Sequence, residues 1–161
     1  MKILVIGDSH GNIANLKHVM GFAKKIKAEA VIHTGDWNNL ESVNTVLSFR
    51  IPLYSVLGNA DIDPKINQNL KIKSQKYNSK FLKFEIDGVK IGVLHSIKNL
   101  KLIKNYKLKI KNLDIVFCGH YHSQKMWEQD GVKIVRPGAL EKEVYFADYD
   151  TKTNGVELIH E

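Results

Sequence analysis

The 161 residues contain one cysteine, Cys118. That excludes an internal disulfide and fits a reducing, cytoplasmic compartment. No apolar run approaches the roughly 20 residues that a membrane helix needs, which argues against a membrane partner. The N-terminal MKILVIGD breaks at Gly7-Asp8 without a small-residue cleavage site, so it reads as a first strand rather than a signal peptide. Repeats, linkers and low-complexity tracts are absent, and the length suits one domain over 1–161. Arginine is scarce: Arg50 and Arg136 are the only two, although the net charge is +7. The charge suggests an anionic substrate or partner, but being almost all lysine it is diffuse, not shaped for planar recognition of bases and phosphates.

What is present is an alternation of apolar runs and helical patterns. MKILVIG, AVIHTG at 30–35 and LYSVLG after Pro52 are short buried strands by length and composition. Between them, Ile13, Leu16, Val19, Met20, Ala23 and Ile26 recur at helical spacing with Asn12 as a cap, and 38–49 forms a second helix. Such alternation predicts a parallel sheet with helices packed on it. Residues 62–79 are polar and weakly periodic, and are expected to be a loop with at most one helical turn. FLKFEI and VKIGVLH flank Asp87-Gly88, a hairpin signal. Residues 97–111 read as a lysine-rich amphipathic helix with Leu100, Ile103 and Leu108 inward. LDIVFC is a further strand, and Asp130-Gly131 and Asn154-Gly155 mark antiparallel hairpins near the C-terminus.

The apolar runs end in similar chemistry. The first gives Asp8, His10 and Asn12; the second Asp36; the third Asn59 and Asp61; VLHS gives His95; CGHYHS gives His120 and His122. In open α/β sheets ligands bind beyond the carboxyl ends of strands, where loops converge. Asp oxygens, an Asn carbonyl and His nitrogens suit divalent Mn, Fe, Ni or Zn. Asp8-x-His10 and His120-x-His122 each place two side chains on one face of an extended chain. Gly7, Gly35, Gly58 and Gly119 adjoin the proposed ligands and permit sharp turns. A single Asp after a strand is ordinarily a turn or cap, and a lone His ordinarily a satisfied polar residue. Repetition at successive strand ends sets these apart. His33, inside a strand, reads as a core residue; His18 and His160 have no assigned role; Cys118 reads as a packed hydrophobe.

Asp8-x-His10, Gly35-Asp36, Gly58-Asn59-x-Asp61, His95 and Gly119-His120-x-His122 together resemble the five ordered motifs of calcineurin-like metallophosphoesterases, over residues 7–122. The short length and Arg136-Pro137-Gly138 look most like the small single-domain phosphodiesterase branch. The resemblance implies a four-layer α/β/β/α sandwich of two packed mixed sheets with helices on the outer faces. It implies one metal held by Asp8, His10, His122 and Asp36, and a second by Asp36, Asn59, His95 and His120, with Asp36 bridging. Two divalent ions, Mn first with Ni, Fe or Zn as alternatives, would lie about 3.5–4 Å apart and present a bridging hydroxide to the phosphorus of a small nucleotide-like or cyclic phosphodiester. Asp36, Asn59 and His95 would act through that hydroxide and the phosphate. Neutral imidazole is required for ligation, so activity is expected to fall below about pH 6.

Three positions depart from the family pattern. Ala60 stands where a His often protonates the leaving group, leaving Asp61 no imidazole to orient; Asp61 then reads as a turn-former or a partner behind the ligands. Ser96 follows His95 where Gly is usual. Arg136 replaces a common Asn; it and Asn12 are the candidate substrate contacts, although a hairpin-surface arginine is the plainer reading. Two alternatives stand beside the enzyme of small diesters. One is a nuclease using Lys98, Lys101, Lys104, Lys107, Lys109 and Lys111 as a stripe for nucleic acid; the other is a non-catalytic protein-binding scaffold of the same fold. A homo-oligomer is compatible with all three.

Overall fold

The computed structural model describes residues 1–100, 105 and 109–161. In chain order the elements are β1 (Lys2–Ile6), α1 (Ile13–Lys25), β2 (Ala30–His33), α2 (Leu40–Ser48), β3 (Leu53–Ser55), α3 (Pro64–Lys73), β4 (Lys76–Tyr77), β5 (Phe81–Ile86), β6 (Val89–Leu94), α4 (Ile97–Leu100), β7 (Ile115–Cys118), β8 (Lys125–Gln129), β9 (Val132–Arg136), β10 (Tyr145–Asp150) and β11 (Gly155–His160). They build two mixed sheets, with strand orders β11-β10-β1-β2-β3-β4 and β5-β6-β7-β9-β8.

The layering follows from side-chain alternation along each strand. In β1, Ile3 and Val5 join Ile32, Phe84, Ile91, Val93, Ile115, Phe117 and Tyr149 in a core between the sheets. Leu4 and Ile6 point the other way, onto Leu16, Val19, Met20 and Ala23 of α1 and Val43 and Val46 of α2. On the far face of the second sheet, Val116, Cys118, Val132 and Ile134 pack with Leu100 and Ile110. The result is the α/β/β/α sandwich with both sheets mixed.

Local chemistry explains most boundaries. Asn12 caps α1 by accepting from the Asn15 N–H, and Asn39 caps α2 through the Ser42 N–H. Asp87-Gly88 and Asp130-Gly131 place both turn residues at positive φ, the condition for the two-residue hairpin turns closing β5–β6 and β8–β9. The C-terminal hairpins enter different sheets. β9 lies beside β7 in parallel, whereas β10 runs antiparallel against β1 near the middle of the first sheet.

One expectation is overturned. Residues 64–73, expected to be loop, form the ten-residue α3. Asp63 caps it by accepting from the Lys65 N–H, and Pro64 supplies a preset φ in the first turn. Its apolar signal is faint because its buried residues are just Ile66 and Leu70, one helical turn apart, while Ile72 stays 72% exposed. The helix expected over 97–111 is present at Ile97–Leu100 and at 109–110, with Leu100 buried as expected. Ile103, Leu108, Lys101, Lys104 and Lys107 lie outside the described residues, so the stripe they would form gains no support.

Candidate metal centre

The cleft lies where the two sheets' strand ends meet. The loop after β1 is zipped to the loop after β2: Asp8 N–H donates to Gly35 O, His10 N–H to Asp36 O and Gly11 N–H to Trp37 O, at 2.9–3.1 Å. The β6 and β7 loops are joined in turn by Gly119 N–H donating to His95 O at 2.8 Å. Across the divide, the His120 N–H donates to the Asp8 carboxylate at 3.1 Å. Backbone bonds therefore set the positions of the polar side chains before any ligand arrives.

All seven proposed ligands converge. Asp36 Oδ2 lies 3.4 Å from His10 Nε2 and 3.4 Å from His95 Nε2, so one oxygen faces both halves of the cleft. On one side, atoms of Asp8, His10 and His122 lie within 4.8 Å of one another. Asp8, Asp36 and His95 form a second such group, placing Asp8 as well as Asp36 between the halves. On the other side, Asn59 Oδ1 is 3.0 Å from His95 Nε2 and 3.1 Å from His120 Nδ1, and these two ring nitrogens are 3.3 Å apart.

These contacts fit divalent cations. His95 Nδ1–H donates to the Thr34 carbonyl at 3.0 Å, so in the neutral ring Nε2 carries the lone pair, facing Asn59 Oδ1 and Asp36 Oδ2. Electron-rich atoms so close repel unless a positive centre, a cation or a proton on Nε2, sits among them. His10 Nε2 is buried with no hydrogen-bond partner, a polar atom left unsatisfied 3.4 Å from Asp36 Oδ2. On the first side His122 Nδ1 lies 3.4 Å from Glu141 Oε2 while its Nε2 faces Asp8 Oδ1 at 3.8 Å. The carboxylate beside Nδ1 favours a proton there, which leaves Nε2 to ligate.

Titration behaviour reflects the same crowding. Burial lifts Asp8 to about 7 against the opposing pull of His95, with the Asp36 charge adding to the rise. Burial also works to raise Asp36, but hydrogen bonds from His95 and the Ala60 N–H outweigh it and hold the carboxyl below its ordinary value. For His95 burial pulls downward, yet the Asp36 carboxylate prevails and the imidazole is raised. A proton on His95 thus takes up part of the charge a cation would supply. His120 and His122 are lowered, first by burial and then by neighbouring imidazoles, and so remain neutral donors.

The backbone supporting these residues is strained. Asp8 (φ 49°), His10 (43°), Asp36 (60°), His120 (77°) and His122 (55°) all occupy the left-handed region. Each such non-glycine residue costs on the order of 1–3 kcal/mol, a penalty that clusters at functional sites. Ser96 is not among them, so the departure from Gly carries no backbone penalty.

The turn after β3, Gly58 to Asp61, shows why these residues stand together. At Gly58 any Cβ would collide with the Asp36 side chain and come within 2.5 Å of its backbone N, so glycine is required by close approach. Asp61 accepts from the Asp36 and Gly58 N–H groups through Oδ2, at 3.0 and 2.8 Å, and from the Asn38 N–H through Oδ1 at 2.9 Å. It ties the second and third strand-end loops together. Ala60 contributes its N–H, which donates to Asp36 Oδ1 at 2.8 Å.

The remaining candidates sit at the edges. Asn12 uses both ends of its amide: Oδ1 caps α1 and Nδ2 donates to Glu141 O at 2.8 Å. Arg136 donates to Ser123 O and Oγ and lies over the Tyr121 ring at 5.0 Å, bracing the loop that carries His120 and His122. His33 is fully buried, stacked on Trp37 at 3.4 Å between ring centroids, with Nδ1 accepting from the Gly35 N–H; burial holds it well below its ordinary pKa. Glu141 and the Thr34 carbonyl are supports that sequence reasoning missed. The carbonyl has no residue-type signature, and Glu141 lies in a loop whose course depends on β10.

A carboxylate oxygen facing an imidazole on each side, at the tips of two packed sheets, fits a hydrolase of the metal-dependent phosphoester class. The chain belongs to the calcineurin-like phosphoesterase superfamily, whose domain model matches residues 1–153. It is 26% identical over 140 residues to a phosphodiesterase of Methanocaldococcus jannaschii, covering 86% of this chain and 83% of that protein. Among solved structures it is similar to an archaeal phosphodiesterase (TM-score 0.84, 24% identity, 100% of both chains) and to the phosphoesterase Yfce from E. coli (TM-score 0.70, 14% identity, 99% and 98%). It also shares its fold with vacuolar protein sorting 29 from Cryptosporidium parvum (TM-score 0.63, 19% identity, 99% and 96%). No helix among the described residues is long and apolar enough to cross a membrane.

Proposed function

We propose that residues 1–161 act as one metallophosphoesterase domain that hydrolyses a small phosphodiester with two divalent cations. The observation that carries this reading is the single oxygen, Asp36 Oδ2, standing 3.4 Å from an imidazole of each half-site. Asp8, His10, His122 and Asp36 would hold one cation, and Asp36, Asn59, His95 and His120 the other. When bound, such a pair clamps the phosphate, lowers the pKa of a water and stabilises charge in the transition state.

The protein's own groups set the terms of that chemistry. Thr34 O fixes the tautomer of His95, and the Glu141 carboxylate beside His122 Nδ1 favours the corresponding one there, so both rings can present Nε2 inward. Asp61 holds the Asp36 and Asn59 loops in register through three backbone N–H groups. Ala60 offers no proton to the leaving oxygen, which favours esters whose leaving groups depart unaided. Mn is the first choice of metal, with Ni, Fe or Zn as alternatives, because mixed oxygen and imidazole donors suit all four. The buried thiol of Cys118 fits a reducing cytoplasm.

The test is direct. Metal-stripped protein should not turn over bis-p-nitrophenyl phosphate, and added Mn²⁺ should restore turnover. Metal-independent turnover, or none in any of the four metals, would overturn the reading.

A further inference from the structure

The two sides of the cleft differ in charge. Beside Asp8, His10 and His122 stands another carboxylate, Glu141, 3.4 Å from His122. The side formed by Asn59, His95 and His120 instead opens into a cavity of about 920 Å³. Leu57 and Leu94 give it apolar wall, Ser79 and Asn99 give it hydrogen-bonding groups, and Lys80 and Lys98 bring positive charge. Neither lysine is ion-paired with a carboxylate among the described residues. Lys98 Nζ lies 5.3 Å from the centre of the Tyr121 ring, and that ring is 5.0 Å from His120. The ammonium is thereby tethered to the loop that carries two metal ligands.

Resting on the phosphodiesterase reading, we infer that this cavity is a subsite for a second phosphate, and that the preferred substrate is a diester carrying a further anionic phosphate, such as a 5′-phosphorylated dinucleotide. A cyclic mononucleotide has one negative charge, which the metal centre would engage, leaving both lysines without a partner. The volume lies near the upper end of the roughly 300–1,000 Å³ typical of small-molecule sites, far more than a lone phosphate fills. Lysine binds phosphate as a mobile point charge, and two of them beside apolar and amide groups suit a phosphorylated nucleoside. An extra negative charge directed to the opposite side would meet Glu141. In the reaction, water oxygen bonds to the bridging phosphorus and the P–O ester bond breaks. One water proton ends on the leaving oxygen, and the other leaves the new phosphomonoester for solvent. The terminal phosphate stays intact.

The experiment compares the dithymidine dinucleotide with and without a 5′-phosphate, using Mn-loaded protein and chromatographic identification of products. The phosphorylated form should have a kcat/KM about tenfold higher, carried by KM and shrinking as salt rises. In Lys80→Ala/Lys98→Ala the ratio should fall towards one, whereas Lys17→Ala/Lys152→Ala, with the same loss of charge on exposed surface elsewhere, should preserve it. Equal kcat/KM values, a preference surviving the Lys80/Lys98 double substitution, or release of inorganic phosphate from the 5′ end would each overturn the inference. Calorimetric binding of the two dinucleotides to metal-free protein separates this from the hydrolytic reading. Tighter binding of the phosphorylated form, lost in the double variant, supports the subsite even if bis-p-nitrophenyl phosphate is not turned over; equal or undetectable binding of both counts against it.

Discussion

The first sheet supplies every proposed oxygen ligand, Asp8, Asp36 and Asn59, together with His10; the second supplies imidazole alone, from His95, His120 and His122. Neither sheet carries a complete set for either proposed cation. The centre therefore depends on how the two sheets stack, which the core of Ile3, Val5, Ile32, Phe117 and Tyr149 determines. The difference teaches where the centre is vulnerable. Oxygen ligands set the charge available to metals, imidazoles set the tautomers and the pH dependence, and a few hydrogen bonds keep the two contributions in register.

The most severe way to break this division is Asp36→Asn, which removes the charged oxygen facing both sides. Turnover of bis-p-nitrophenyl phosphate should fall to background while thermal unfolding remains cooperative; a retained rate would refute the bridging assignment. Ala60→His adds an imidazole to the oxygen-donating sheet and restores a proton donor. Unactivated alkyl esters should gain on the order of 10²-fold, the lower end of general-acid help, and p-nitrophenyl esters little. Equal gains would show that position 60 does not face the leaving group.

Removing the brace on an imidazole of the second sheet is gentler. Glu141→Ala should weaken Mn²⁺ binding roughly 10–100-fold, read by metal titration, with the fold intact. Acidity sharpens the comparison further. Asp8, raised to about 7, holds a proton near neutrality in the metal-free cleft, and His95 is raised by Asp36; a cation must compete with protons at both. Apparent Mn²⁺ affinity should fall at least about tenfold between pH 8 and pH 6. The sign for stability is opposite. A carboxylic acid raised from 3.8 to about 7 stabilises the metal-free fold below its unfolded pKa, and that contribution fades as pH rises through 7. Urea midpoints of metal-free protein, compared for wild type and Asp8→Asn, isolate this contribution. The smallest effect belongs to Asp61→Ala, which leaves three backbone donors without their acceptor. It should cost about 2 kcal/mol, or roughly 4–8 °C in melting temperature.

Much of this centre was legible because its residues follow apolar runs at glycine-marked turns. Asp8, Asp36, Asn59, His95, His120 and His122 each stand just beyond a strand, and the length and composition of the apolar runs located those strands. The turn pairs Asp87-Gly88 and Asp130-Gly131 were equally plain, because left-handed φ at two successive residues admits few side chains. Helix α3 was not legible, since two buried residues cannot establish a period. The sheet that the last hairpin joins was hidden as well, because the pairing of β10 with β1, Asp150 opposite Lys2, spans almost the whole chain and leaves no local trace. Nor could the chain announce that His120 presents Nδ1 where the other imidazoles present Nε2, or that Asp61 clamps backbone rather than a side chain. Those are properties of loops meeting in space.

The left-handed backbone at five of the proposed ligands has an evolutionary side. Replacing such a residue with glycine relieves strain, and removing Asp8 also relieves crowding among buried charges in the metal-free state. Selection for folding alone would therefore erode the catalytic loops while leaving the double sheet untouched. The centre persists only while its chemistry is under selection; once released, the same frame is free to drift, more stable than before, towards a role in which its surface matters and its cleft does not.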